Sequence, residues 1–387
     1  VAINSEARAL IASICKKYGE GAVVLGSDIK IAQRFPSGSI SLDVALGGGW
    51  PANQWAEVVG MESHGKTALV YKTLAANQQA DPNFTTLWIA AEHYDTDQSE
   101  ALGVDNSRVI VFPTQGMEEA YETMLTFAQS KSVDCIVLDS YPALVADEEA
   151  EKGMDENVMA VGARLTGKFF RKAGAATKRS LTDETERPFM GFFINQYRDA
   201  IGVFSPNGVA KTTPGGKAKN YAFYTRVEVR RAEWIQEAVP GKNLKVNVGQ
   251  TMKVKTIKNK SSAPQQTASV DFYFRDAPVS GFKRGEYDHA KELKVMAILF
   301  DVIERRGSHF HFANGQVDAE GKPVYRWQGS LPMEEALRSD VDLQEQVRDA
   351  VFAAMKDPEI QRDLTDNDVD AAQSAGTKTV ARRKKAA

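Results

Sequence analysis

Residues 58–69, V-V-G-M-E-S-H-G-K-T-A-L, constrain this chain more than any other stretch. Within them Gly60, Met61, Glu62, Ser63, His64, Gly65, Lys66 and Thr67 match G-x-x-x-x-G-K-[ST], the phosphate-binding P-loop. The motif needs a strand before it and a helix after it. The β-prone run at 55–59 and the helix-compatible run at 68–79 supply both. In that setting the backbone N–H groups of Gly60 to Gly65 wrap a β-phosphate at a helix N-terminus, where the dipole favours anions. Lys66 reaches the β- and γ-phosphates, and the Thr67 hydroxyl ligates Mg²⁺. The stretch reads as the site of a nucleotide-binding protein.

With 387 residues the chain is long enough for one large core and one or two small satellites. Its formal net charge of −3 excludes nucleic-acid binding driven by overall charge, so such binding needs a local basic surface. The two cysteines, Cys15 and Cys135, fall in apolar, element-like segments. They read as buried thiols of a reducing compartment rather than a disulfide framework. No apolar run approaches the roughly 18–20 residues of a membrane span, and no signal-peptide pattern opens the sequence. The expectation is a cytoplasmic protein without a membrane partner.

Taken in order, Asn4 or Ser5 caps a helix in which Ala7, Leu10, Ile11, Ile14 and Tyr18 recur at helical spacing. Gly19 and Gly21 end it, and residues 22–25 read as a short strand. A lone helix and strand cannot bury their own apolar faces, so they pack either on the main body or on another molecule. From about 35 to 274, strands alternate with helices, the pattern of an α/β core with a mostly parallel sheet. Buried strands are expected at 55–59, 86–90, 108–112, 135–139 and 190–195. Three later runs, 225–231, 251–257 and 269–274, look like antiparallel additions to the sheet edge. Residues 198–219, rich in Gly, Pro and Thr, form a long aperiodic connection of the kind that carries function or is disordered. Beyond 282 a helix (289–304), short β pieces (309–312, 324–327) and a helix (343–355) suggest a small α+β domain. Asp363, Asp366, Asp368 and Asp370 and the basic residues at 382–385 read as a disordered tail.

Phosphoryl transfer needs a second carboxylate on the metal, usually at the end of a neighbouring apolar strand. Asp139 in C-I-V-L-D-S fits. Hydrolysis also needs a group that orients and deprotonates water. Glu92, just past the strand at 86–90, lies on the carboxyl edge where ligands bind in open α/β sheets, though a solvated strand-end glutamate reads the same way. Gln196 ends a third strand on that edge, placed either to touch a γ-phosphate or to cap a loop. Lys258 and Lys260, two apart, project to one side of an extended segment. Such a pair can meet a phosphate within the molecule or across an interface. Arg226, Arg230, Arg231, Lys253 and Lys255 otherwise read as solvated faces.

Taken together, these residues resemble the RecA family of ATP-dependent strand-exchange recombinases. The P-loop with the preceding S-G-S-I-S-L-D-V-A-L-G (37–47), A-E-H (91–93), V-L-D-S (137–140), N-Q-Y-R-D-A-I-G-V (195–203) with P-G-G (214–216), and I-K-N-K-S-S-A-P (257–264) carry the resemblance. It extends from the first helix to about residue 356. The resemblance implies a RecA-type P-loop ATPase core (35–281) with a mostly parallel central sheet, an N-terminal helix-strand polymerisation arm (1–34), a small α+β C-terminal domain gathering duplex DNA (282–362) and a tail (363–387).

It also implies ATP and Mg²⁺ as cofactors, with Glu92 as the base activating water, Thr67 and Asp139 at the metal, and Gln196 as the switch sensing the γ-phosphate. Lys258 and Lys260 would act in trans on a neighbour's ATP. Residues 151–164 resemble the first DNA loop, with Met159 as an apolar wedge and Arg164 as a phosphate contact. Arg198, Gly215 and Gly216 belong to the second. The implied activity is a DNA-dependent ATPase that forms a helical homopolymer on single-stranded DNA and exchanges strands with double-stranded DNA in recombination and repair. A ring-forming helicase shares the P-loop and strand-end carboxylates, and a non-hydrolysing regulator on the same fold would not need Glu92. The first loop carries Asp155, Glu156 and Asn157 in place of the family's usual glycine/histidine pattern, and a basic terminus follows the acidic tail; these departures suit a bacteriophage-encoded relative.

Overall fold

The computed structural model describes residues 3–19, 21–29, 33–152, 161–177, 186–199, 211–318, 320–321, 323–360 and 362–375. Runs such as T-L-W-I-A and C-I-V-L-D offer no polar face to water, so both of their faces must be covered. They are interior strands of one eight-stranded sheet. Its strands in chain order are β1 (Gln54–Gly60), β2 (Thr86–Ala90), β3 (Val109–Pro113), β4 (Cys135–Asp139), β5 (Met190–Gln196), β6 (Thr225–Ala238), β7 (Lys245–Asn259) and β8 (Thr267–Tyr273). The spatial order is β8-β7-β6-β1-β5-β4-β2-β3. Neighbours from β6 to β3 pair in parallel, while β7 and β8 add on antiparallel.

One expected edge strand is therefore corrected. The run beginning at Thr225 is not an antiparallel addition, because β6 lies parallel to β1 with Val227 opposite Val58 and Val229 opposite Gly60. Val227 and Val229 are wholly buried, as a strand inside the parallel part of a sheet requires.

Side chains alternate across the sheet. Trp88, Val137 and Ile194 join one apolar cluster with helix α3 (Lys66–Ala80), which follows α1 (Ser5–Tyr18) and α2 (Ile40–Leu46) in the chain. Leu87, Ile89, Leu138 and Phe193 face the other cluster. That cluster includes residues of α5 (Met117–Ser130) and α6 (Val161–Ala176), which come after the short α4 (Thr96–Ala101). Trp55 anchors this second face, edge-on to Phe169, Phe189 and Phe193. Gly191 on the adjacent strand makes room for it: a Cβ there would stand 2.1 Å from the indole. The sheet is thus closely packed on both faces.

The N-terminal segment departs from expectation in two respects. α1 forms and is capped by Asn4, whose Oδ1 accepts the Ala7 N–H at 2.8 Å, and none of its residues is buried. Residues 22–25 are not a strand; they lead into a one-turn helix at Gly26–Asp28. With no strand edge beside them among the described residues, nothing completes their ladder. Cys15, expected to be buried, is half-exposed on α1, whereas Cys135 is buried in β4. No helix among the described residues is long and apolar enough to cross a membrane.

After α7 (Gly216–Ala222), the C-terminal region comprises α8 (His289–Leu299), a three-stranded sheet of β9 (Ile303–Arg306), β10 (His309–Val317) and β11 (Pro323–Gln328), then α9 (Ser330–Ser339) and α10 (Val341–Lys356). The expected helix 289–304 stops at Leu299, and Asp301 takes a left-handed φ of 54° that turns the chain into β9. The expected disordered tail is also corrected in its described part. Asp366–Gln373 forms α11, closed by a capping box between Thr365 and Asp368. Leu364, Val369 and Ala372 are buried, while Asp366 pairs with Arg230 and Asp370 with Lys253 at 2.6 Å. An apolar stripe inside the acidic run and basic partners on β6 and β7 give it a reason to fold. Residues 376–387, with their basic cluster, lie outside the described residues.

Candidate active site

β1 leads into the P-loop and α3 leaves it. Gly60 and Gly65 are required by packing: a Cβ on Gly60 would stand 2.2 Å from the Val229 carbonyl oxygen, and one on Gly65 would stand 2.3 Å from the Met252 sulfur. Gly65 also adopts φ +94°, the left-handed conformation that turns the loop into the helix. Lys66 is 7% exposed, and its ammonium donates to the Met61 carbonyl at 2.8 Å. Burial lowers its pKa, opposed by the charges of Asp139, Glu92 and Glu62. Burial and nearby Arg231 also lower the pKa of the His64 imidazole.

Three parallel strands deliver their last residues to this loop. Asp139 ends β4, and its Oδ2 accepts the Thr67 hydroxyl at 3.1 Å. Burial, then the charge of Glu92, pushes the Asp139 carboxyl up to about 7. Glu92 follows β2; its N–H donates to the Asp139 carbonyl at 3.0 Å, and its exposed carboxylate accepts the Ser140 hydroxyl. Gln196 ends β5, half-buried, with its N–H on Asn195 Oδ1 at 2.9 Å. Together with Glu62, Ser63, Gly65, Lys66 and Thr67, these three residues line a cleft of about 650 Å³.

The donor set suits a hard divalent cation. A hydroxyl beside one carboxylate leaves most positions for phosphate oxygens and water, the usual arrangement for Mg²⁺. Asp139, buried and with its charged form disfavoured, is a group that a nearby cation would stabilise.

The remaining expected residues sit elsewhere. Lys258 Nζ donates to the carbonyls of Asn220 at 2.6 Å and Tyr221 at 3.2 Å, and Lys260 Nζ to Tyr221 at 3.4 Å. The pair therefore converges on the C-terminal end of α7, where cations complement unpaired carbonyls. Neither residue lines the cleft. Burial, then Lys260, lowers the Lys258 pKa to about 8. Arg164 on α6 is exposed and pairs with Glu148 at 3.0 Å. Arg198 is exposed in a two-residue strand, Arg198–Asp199, paired with Lys211–Thr212. Gly215 and Gly216 open α7 with φ of +100° and +72°. Met159 lies outside the described residues.

Sequence reasoning missed the far wall of the cleft. Trp234, Gln250, Phe272 and Phe274 line it, with Trp234 edge-on to Phe274 at 5.9 Å and the Arg231 guanidinium 4.0 Å from the indole centroid. Period-2 alternation continuing past Arg231 would have extended the strand to Trp234. The charges there masked it.

Comparison with known proteins agrees with this geometry. The family model for the RecA N-terminal domain matches residues 5–278. Protein RecA of Chlorobaculum tepidum is 32% identical over 349 residues, covering 89% of this chain and 92% of its own length. Protein RecA of Thermus aquaticus is 33% identical over 347 residues, with 88% and 91% covered. That of Lactobacillus delbrueckii subsp. bulgaricus (strain ATCC BAA-365 / Lb-18) is 32% identical over 346 residues, covering 88% and 85%. A P-loop fed by three strand-end polar residues, inside a match of this length, has one reading: the chain belongs to the RecA family.

Proposed function

We propose that this protein binds ATP and Mg²⁺ in the P-loop cleft, polymerises on single-stranded DNA as a helical filament, pairs that strand with homologous duplex and hydrolyses ATP to disassemble. As a member of the RecA family it is a DNA-dependent P-loop ATPase of homologous recombination and DNA repair. The observation that carries the finer reading is the convergence of Asp139, Glu92 and Gln196 on Lys66 and Thr67.

Bound Mg²⁺ would neutralise developing phosphate charge, held by Thr67 and, indirectly, Asp139. Glu92, exposed to solvent and oriented by Ser140, is the base that aligns and deprotonates water. Gln196 senses the γ-phosphate from the end of β5, where the chain enters the second DNA loop. A ligand that binds better to one loop arrangement shifts the population toward it. Lys258 and Lys260, off their own cleft, would reach the nucleotide of a second copy. The exposed Leu10, Ile14 and Tyr18 of α1 support docking of residues 1–34 on that copy. Residues 35–281 form the ATPase core. Arg164, Arg198, Gly215, Gly216 and Met159 belong to its two DNA loops. Residues 282–362 gather duplex DNA, and His309, His311 and Arg326 on one face of β10 and β11 suit that task. The setting is the cytoplasm.

The test is ATP hydrolysis and single-stranded DNA affinity at two salt concentrations. Hydrolysis should rise with DNA. Affinity should fall at least about tenfold between roughly 50 and 200 mM salt, because phosphate contacts release counterions. Hydrolysis indifferent to DNA would contradict the reading.

A further inference from the structure

The first residues of α6 and α7, which close the two loops, touch each other and both touch Tyr141. A Cβ on Gly162 would stand 3.4 Å from the Tyr141 hydroxyl, and one on Gly215 would stand 3.1 Å from Tyr141 Cζ. A Cβ on Gly216 would stand 2.9 Å from that of Ala163. Tyr141 is 4% exposed, and its hydroxyl accepts from Thr166 Oγ1 at 3.1 Å. It directly follows Ser140, the donor to Glu92.

Lys219 closes the other side of Gly215, where a Cβ would stand 2.7 Å from Lys219 Cδ. Its ammonium, 1% exposed, donates to Glu57 at 2.6 Å, Thr213 Oγ1 at 2.7 Å and Asn220 Oδ1 at 3.0 Å. Glu57, wholly buried in β1 just before the P-loop, also accepts from Asn195 Nδ2 at 2.8 Å and Arg226 Nε at 2.5 Å. Asn195 in turn holds the Gln196 N–H and donates to the Pro214 carbonyl at 3.3 Å.

We propose that Tyr141 and Lys219 are positioning residues that couple the nucleotide cleft to the stems of both DNA loops, gripping Gly215 between them. The inference rests on the reading of those loops under the proposed function. A buried Lys–Glu pair with further hydrogen bonds has few geometries of comparable energy, since a half-satisfied arrangement leaves a charge unpaired in a low dielectric. A displacement of Gln196 therefore cannot stay local. Through Asn195 it moves the Pro214 carbonyl and the Glu57 carboxylate, and through Lys219 it moves Thr213 and the start of α7. Tyr141 carries the same displacement to α6, because its ring packs against Gly215 while its hydroxyl meets Gly162 and Thr166 on α6. Packed elements of this kind switch between discrete arrangements rather than deform continuously.

The test uses the double variant Glu57→Gln with Lys219→Met, which keeps a side-chain stem against Gly215, leaves no unpaired buried carboxylate and still offers the partly exposed Arg226 guanidinium an amide oxygen as acceptor. ATP hydrolysis is measured with and without single-stranded DNA, and DNA affinity with and without a non-hydrolysable ATP analogue. Hydrolysis without DNA should stay near the parent rate. Most of the stimulation by DNA should be lost, and the analogue's enhancement of DNA affinity should fall at least about fivefold, as should DNA's enhancement of analogue affinity, because coupling free energy between two binding sites is reciprocal. Retained stimulation and enhancement would overturn the proposal. So would a proportional loss of hydrolysis with and without DNA, which marks a merely structural role. Should the double variant fail to fold, Tyr141→Phe, which keeps the ring and removes its acceptor, answers the same question through the same ratios. A parent protein whose hydrolysis ignores DNA would instead contradict the functional reading and remove this inference with it.

Discussion

Replacing Lys66 with alanine is expected to reduce ATP hydrolysis by at least about 10²–10³-fold, the usual loss when one preorganised donor is taken from developing charge in an enclosed site. Among the described residues lining the cleft, Lys66 is the one cation. It is buried, and Asp139, Glu92 and Glu62 all favour its charged form. Removing it leaves those three carboxylates facing the phosphates unopposed, so nucleotide affinity should fall as well as turnover. Phosphate release and the affinity of a fluorescent ATP analogue measure the two effects separately. Wild-type turnover in Lys66→Ala would remove the P-loop from the mechanism.

Glu92→Gln is expected to act differently, slowing turnover by about 10²–10⁴-fold while ATP and DNA still bind. The amide oxygen can still accept the Ser140 hydroxyl, so the side chain keeps its orientation and loses only its basicity. Loss of the Glu92 charge also removes a repulsion that raises the Asp139 pKa, so the Asp139 carboxyl ionises more readily. The variant should therefore hold ATP and remain on DNA as a long-lived filament. Failure of Glu92→Gln to bind ATP would leave the role of base without support.

Much of the site was legible because its pieces are short and local. The P-loop announces itself by spacing, and Asp139, Glu92 and Gln196 each end a fully apolar run whose only sensible place is a buried parallel strand. Their meeting at one edge then follows from parallel pairing. Other features depended on distant partners. Residues 22–25 carry β-prone side chains, yet no neighbour supplies a ladder, so propensity alone misled. The acidic run after Asp363 reads as disordered in sequence, and only the fold brings Arg230 and Lys253 beneath it.

Lys219 illustrates the same limit inside the core. In sequence it is one lysine in an irregular polar stretch. Only the fold brings it against Glu57, 162 positions away, and makes it a buried ion pair. The direction of β6 was misread for a related reason. Its antiparallel hairpin with β7 forms, but burial of Val227 and Val229 goes with a second, parallel pairing beside β1 that puts the strand inside the sheet.

Electron microscopy of the protein with single-stranded DNA and a non-hydrolysable ATP analogue tests the central claim most directly. The account predicts extended helical filaments along the DNA that form only with nucleotide, with Lys258 and Lys260 of each copy beside the neighbour's cleft. Closed rings, or particles that ignore both DNA and nucleotide, would contradict it.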